Sequence, residues 1–198
     1  MNFLRPREEQ RILGIPKLPM DDLIVRIPLM TGLSPGEISQ LTVDDVSYEY
    51  NLLFVWRSKV SNDHPAIIDQ DTIWRIYEYV DKRKTGSLLQ IEGENRMRVQ
   101  YIRRHVKKYA AEAGITRWYR ITPYTLRHTF CIKWVLGGGS LEGLRRQLGL
   151  KSLEKLKHYL DFAYDNVHLQ YKRIFEGPYQ RSISEPVMDH AMIPVRRR

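Results

Sequence analysis

The sequence predicts a mainly α-helical fold with one small antiparallel β-sheet, an α+β class. Three observations lead there. Apolar residues recur at helical spacing along most of the chain, and each run is bounded by start and stop residues. One β-rich stretch, residues 46–69, interrupts the helices. The length of 198 residues, with 42% hydrophobic and 28% charged, suits one domain able to bury a core. No apolar run approaches the roughly 20 residues that cross a bilayer, and the N-terminal MNFLRPREEQRIL lacks the apolar centre of a signal peptide. A single cysteine, Cys131, excludes an internal disulfide framework and a multi-cysteine zinc site, so a reducing, cytoplasmic setting is expected.

Each element has a local reason. Asp21 to Met30 reads as a helix with Leu23, Ile24, Ile27 and Met30 on one face, Pro28 as a potential kink and Gly32 as the stop. Ser34-Pro35-Gly36-Glu37 is a helix start: Ser34 as N-cap, Pro35 as first helical residue, Glu37 completing a capping box. Leu52 to Trp56 and Ala66 to Ile68 are paired strands, with turn chemistry at Ser61-Asn62-Asp63. Thr72 to Lys82 is amphipathic, with Ile73, Ile76, Tyr77 and Val80 inward. Asn95 caps a predicted helix to Ala113, with Gly114 as stop. Thr122-Pro123 opens a helix carrying Leu126, Phe130 and Trp134 that ends at Gly137-Gly138-Gly139. Ser140 caps a short helix closing at Gly149, and Ser152 another with Leu153, Leu156 and Leu160 inward. Asp165 caps a last helix to about Phe175. Residues 1–177 form the expected domain, and 178–198 a mobile basic tail.

The net charge is +9, from 32 Lys+Arg against 23 Asp+Glu, and it is unevenly placed. Arg96, Arg98, Arg103, Arg104, Lys107, Lys108, Arg117, Arg120 and Arg127 fall in one window whose only acid is Glu112, and i,i+4 carboxylate partners are expected to be absent there. Asp21 to Tyr50 is acidic instead. A cationic stretch of this density is the footprint of a phosphate-backbone contact, with Arg145 and Lys151 as further contributors.

Three segments carry chemistry: TGLSPGEISQLTVDDV (31–46), TPYTLRHTF (122–130) and LGLKSLEKLKHYL (148–160). In this order, with a sheet between the first and second, they resemble the catalytic domain of the tyrosine recombinases, the phage integrase family, over roughly residues 5 to 175. The resemblance implies a tyrosine recombinase-like fold and breakage and rejoining of double-stranded DNA through a 3′-phosphotyrosyl link, needing neither metal nor other cofactor. It implies Tyr159 as nucleophile, Arg127 as phosphate ligand and Lys59, at the hairpin, as the lysine near the leaving oxygen. These residue types fit the task. A free tyrosine is a weak nucleophile at neutral pH, so cations must offset the charge that develops on the phosphate. An arginine fork grips two phosphate oxygens, and a lysine can deliver a proton. His128 is read as a polar packing residue.

The pattern also departs from the family. Ser34 stands where the first family arginine is usual, Tyr124 where a histidine precedes the second arginine, and Leu150 where the third segment has His or Trp. Tyr124 can still donate to a phosphate; Leu150 supplies no donor. Arg26 or Arg145 could substitute in space. The resemblance further implies a tetramer on two duplexes, with Val167 to Phe175 as the exchanged contact, and an N-terminal clamping domain ahead of this part. Two other readings compete. A non-catalytic DNA-binding regulator would use Ser140 to Leu160 as helix-turn-helix, with Lys155 and Lys157 on DNA. A metal-dependent nuclease would need Asp44-Asp45 with a histidine, acids that fit a solvated turn better.

Overall fold

The computed structural model describes residues 2–56, 63–91 and 97–159. Lys59, Arg96, Asn95, Leu160, the predicted helix from Asp165, the exchanged segment and the basic tail lie outside the described residues.

Helices α1 (Pro6–Leu13), α2 (Pro19–Thr31) and α3 (Pro35–Ile38) lead into a three-stranded sheet of β1 (Val46–Ser47), β2 (Leu52–Val55) and β3 (His64–Ile67). Then come α4 (Gln70–Val80), α5 (Val99–Glu112), α6 (Pro123–Leu136), α7 (Leu141–Gln147) and a 3-10 segment, Leu153–Tyr159. The mainly helical class with a small antiparallel sheet is as the sequence predicts. The strands run in the order β1-β2-β3, antiparallel throughout, with Leu53 opposite both Val46 and Ala66, and Val55 opposite His64.

Local chemistry sets the helix ends. In α2, Pro19 opens the helix and Asp21 and Asp22 lie in its first turn, where carboxylates favour the positive end of the dipole. Pro28 sits in the last turn without ending it, and Gly32 closes the helix at φ 75°, a left-handed conformation that costs a residue with a Cβ. Ser34 caps α3 as its sequence promised: its hydroxyl accepts from the Glu37 N–H (3.3 Å), and Glu37 Oε2 accepts from the Ser34 N–H (2.7 Å). Thr122 caps α6 and Ser140 caps α7.

The main core joins α1, α2, α4, α5 and the sheet through residues such as Ile12, Leu23, Ile27, Leu53, Ile76, Ile102 and Val106, with Leu126 of α6. A second, smaller core forms on the far side of α6. There Cys131, Ile132 and Val135 meet Leu144, Leu148, Leu150, Leu156 and Tyr159. The chain that carries the candidate nucleophile is therefore held by apolar packing onto α6.

Several expectations are corrected. Helix α5 starts at Val99, with Arg98 as its N-cap. Tyr77 is 53% exposed; it stacks on Trp74 and meets Tyr48 edge-on, so α4 buries Ile73, Ile76 and Val80 but not Tyr77. The stretch after Ser152 is 3-10 rather than α-helical, and Leu153 is exposed. A reader helix of the helix-turn-helix kind is therefore not formed there. Asp45 is no solvated turn acid: it is buried, accepts from Thr42 N–H and Oγ1 and from the Trp56 indole, and ties the sheet to the turn before it.

Candidate active site

Gln147 and Gly32 help bring the three motif segments together. Gln147 of α7 is buried. Its Nε2 donates to the carbonyls of Thr31 (3.1 Å) and Ile67 (2.9 Å), and its Oε1 accepts from the Ile67 N–H (3.0 Å). One amide thus links the end of α2, the β3 edge and the start of the third motif. A Cβ on Gly32 would lie 2.6 Å from both Leu148 Cδ2 and Phe130 Cδ1, so only glycine lets the first motif approach the other two this closely. Gly149, at φ 61°, makes room for the His64 ring in the same way.

Arg127 projects from α6 to the capped start of α3. Its Nη1 donates to Glu37 Oε2 at 3.1 Å, and the two side chains are 14% and 3% exposed. The same carboxylate oxygen closes the Ser34 capping box. The first motif, lacking its arginine, is thus joined to the second by an ion pair at the cap. Arg127 is largely buried and held by this pair.

Tyr159 is 3% exposed, at the end of the 3-10 segment. Its hydroxyl lies 2.6 Å from His128 Nδ1, and Cys131 lies in the same small core. His158 packs beside the phenol ring, with centroids 4.1 Å apart, and lies edge-on to the His128 ring. Burial pushes the phenol well above its ordinary pKa, the Cys131 thiol adds to this, and the Arg127 charge opposes it. Tyr159 is therefore a protonated phenol at neutral pH. Burial pulls His128 below its ordinary value, with His158 and Arg127 acting in the same direction, so its imidazole is neutral there. Burial likewise raises the Cys131 thiol, which stays protonated.

The remaining predicted residues divide. Tyr124 is 47% exposed in the first turn of α6, three residues ahead of Arg127. Leu150 is buried in the small core, as a packing leucine should be. Arg103, Arg104, Lys107 and Lys108 are exposed on α5, Arg98 at its cap, Arg120 after it and Lys151 after α7. Lys107 lies over the Trp118 ring and Arg120 over Tyr119, which interleaves cations with aromatics. Other assignments change. Lys108 has an i,i+4 partner after all, Glu112 at 3.9 Å. Arg117 turns inward to the Phe3 carbonyl (2.6 Å) and Glu8 (2.9 Å), a structural role. Arg145 is held by Glu142 and the Leu150 carbonyl, and Arg26 by Asp22 and Asp71. Among the described residues no three His, Cys, Asp or Glu are arranged to hold a metal ion, and no helix is long and apolar enough to cross a membrane.

Sequence reasoning missed Glu37 as partner of Arg127, Gln147 as a brace, and His128 as neighbour of Tyr159. Glu37 carried only a capping signal. The RHT context of His128 was visible, but its contact with Tyr159 spans two elements.

The fold of these elements is that of tyrosine recombinase catalytic domains. The crystal structure of XerA recombinase superposes with a TM-score of 0.75 at 23% identity, covering 87% of this chain and 64% of that one. The catalytic domain of bacteriophage HP1 integrase gives 0.62 at 22% identity, covering 92% and 99%. XerH bound to its palindromic difH substrate gives 0.71 at 18% identity, covering 86% and 52%. In sequence, tyrosine recombinase XerA of Saccharolobus solfataricus is 25% identical over 162 residues, 82% of this chain and 53% of that protein. The XerA of Thermococcus onnurineus is 27% identical over 186 residues, 88% and 64%. The chain spans about half the length of the first of these relatives. Residues 2–166 match the phage integrase family, and the chain belongs to it.

Proposed function

We propose that this chain is the catalytic domain of a site-specific tyrosine recombinase, which breaks and rejoins double-stranded DNA through a 3′-phosphotyrosyl link on Tyr159. The observation that carries this reading is that α6 presents Arg127 and His128 side by side, with His128 Nδ1 2.6 Å from the Tyr159 hydroxyl. In this reading Arg127 holds the scissile phosphate, Tyr124 donates a further hydrogen bond to it, and Lys59 protonates the departing 5′-oxygen. The exposed cations of α5 hold the flanking backbone. Membership of the family supports the reaction type, and the XerH structure with its substrate supports duplex DNA as partner. Copies would act as a tetramer on paired duplexes.

With Ser34 and Leu150 in place of donors, the chemistry is slow: each lost donor costs on the order of 10²–10³ in rate. The test is therefore a trap rather than a turnover assay. A pool of nicked duplexes, with randomised sequence around the nick, should yield a covalent adduct mapping to Tyr159 and absent from Tyr159→Phe. Duplex binding by the unaltered chain without any adduct would reject cleavage and leave a DNA-binding protein of this fold.

A further inference from the structure

We infer that His128 is the proton acceptor for the nucleophile: its Nδ1 takes the phenolic proton of Tyr159 as Oη attacks the phosphorus. The inference rests on the cleavage reading above and adds a role for a residue that the motif reading treats as packing.

The need comes from the site itself. Tyr159 is buried and its phenol is protonated, so attack requires a base within hydrogen-bond reach. His128 Nδ1 is 2.6 Å from Oη. The imidazole is carried by α6 directly after Arg127, so one helical turn presents both the phosphate ligand and the base. Burial keeps it neutral and able to accept at neutral pH. The other groups near the phenol are less suited. The Cys131 thiol is protonated, and His158 packs beside the ring. The small core fixes the geometry, since Cys131 of α6 and Leu156 and Tyr159 of the 3-10 segment pack in one cluster.

The step balances without a metal or redox partner. The Oη–H bond of Tyr159 breaks and an Nδ1–H bond forms. The Oη–P bond forms and the P–O5′ bond breaks, and the departing 5′-oxygen takes the proton that Lys59 supplies. In rejoining, an incoming 5′-hydroxyl attacks phosphorus and loses its proton to Lys59. Oη leaves and recovers its proton from His128.

The experiment uses the full chain and the nicked-duplex trap, with duplex binding and thermal unfolding measured in parallel. His128→Ala and His128→Gln should bind the duplex as the unaltered chain does, yet form the adduct about 10²–10⁴ more slowly. The glutamine amide can still hold the hydroxyl but cannot take its proton, so this variant separates positioning from proton transfer. In the unaltered chain the adduct rate should fall as pH drops through the His128 pKa, below its usual 6.5. The groups facing His128 are His158 and Tyr159 from the 3-10 segment, with Arg127 and Cys131 on its own helix. Replacing His158 by Gln should shift this limb, whereas both His128 variants should lose it. Added imidazole should restore rate to His128→Ala. If His128→Gln forms the adduct at the unaltered rate with the same pH profile, the inference is overturned and the cleavage reading stands. An unaltered chain that binds the duplex and forms no adduct overturns both.

Discussion

Glu37 does two jobs with one oxygen. It accepts the Ser34 N–H at the start of α3 and the Arg127 guanidinium from α6, while almost fully buried. Removing it leaves Arg127, itself only slightly exposed, without its counter-charge, and breaks the capping box. Breaking a buried pair from one side costs about 3–5 kcal/mol. Arg127 keeps some exposure, so Glu37→Ala should destabilise the fold by about 3 kcal/mol, the lower end of that range. Glu37→Gln keeps an oxygen for the Ser34 N–H but gives up the charge, and should cost less. Urea unfolding midpoints measure both; a Glu37→Gln midpoint equal to that of the unaltered chain would mean that the charge contributes nothing. The pairing also bears on chemistry. A phosphate arriving at Arg127 meets a guanidinium already oriented by Glu37, so the fork is held before the ligand binds.

At the scale of elements, Gln147 positions the site by holding three segments together. Gln147→Ala would leave the buried Thr31 carbonyl without this partner, and the part-buried backbone groups of Ile67 without theirs, and an unmet buried group costs about 1–3 kcal/mol. The substitution should therefore cost about 1–3 kcal/mol, and it should slow adduct formation more than it weakens DNA binding, because it loosens the site and not the basic surface. Calorimetry together with the trap would read this; normal stability would deny the brace. This brace was not legible in the sequence. The caps at Ser34, Thr122 and Ser140 and the stops at Gly32, Gly114 and Gly149 were legible, because each is settled by atoms a few residues apart. Partners across elements, such as Gln147 with Thr31 or Tyr159 with His128, leave no local pattern. The 3-10 segment was misread for a different reason. Leu153 and Leu156 stand three residues apart, which suits an α-helix; so do Leu156 and Tyr159, and three residues per turn puts the latter two on one buried line. Tyr77 was misread because its helical position borders the apolar face, and Trp74 and Tyr48 give it neighbours outside the core.

For the whole molecule, the +9 charge is less freely available than its total suggests. Arg26 and Arg75 are bound to Asp22 and Asp71, Arg117 to Glu8, Arg127 to Glu37, and Arg145 and Arg146 to Glu142. These pairs join elements or helix turns. The surface left for a polyanion centres on Arg103, Arg104, Lys107 and Arg120, where exposed cations alternate with Trp118 and Tyr119. The two groups should separate by experiment. Each backbone phosphate contact contributes about 0.9 to the slope of log affinity against log salt. Arg103→Gln and Lys107→Gln should each lower that slope by about 0.9, weaken binding to all duplexes alike, and leave thermal stability unchanged. Arg117→Gln should do the reverse, lowering stability through its lost contacts with Phe3 and Glu8 while barely changing the slope. Fluorescence anisotropy at several salt concentrations, paired with thermal melts, distinguishes them. A slope that falls for Arg117→Gln and not for Arg103→Gln or Lys107→Gln would move the DNA interface off the outer face of α5 and onto the α1 side, where Glu8 would compete with the phosphates.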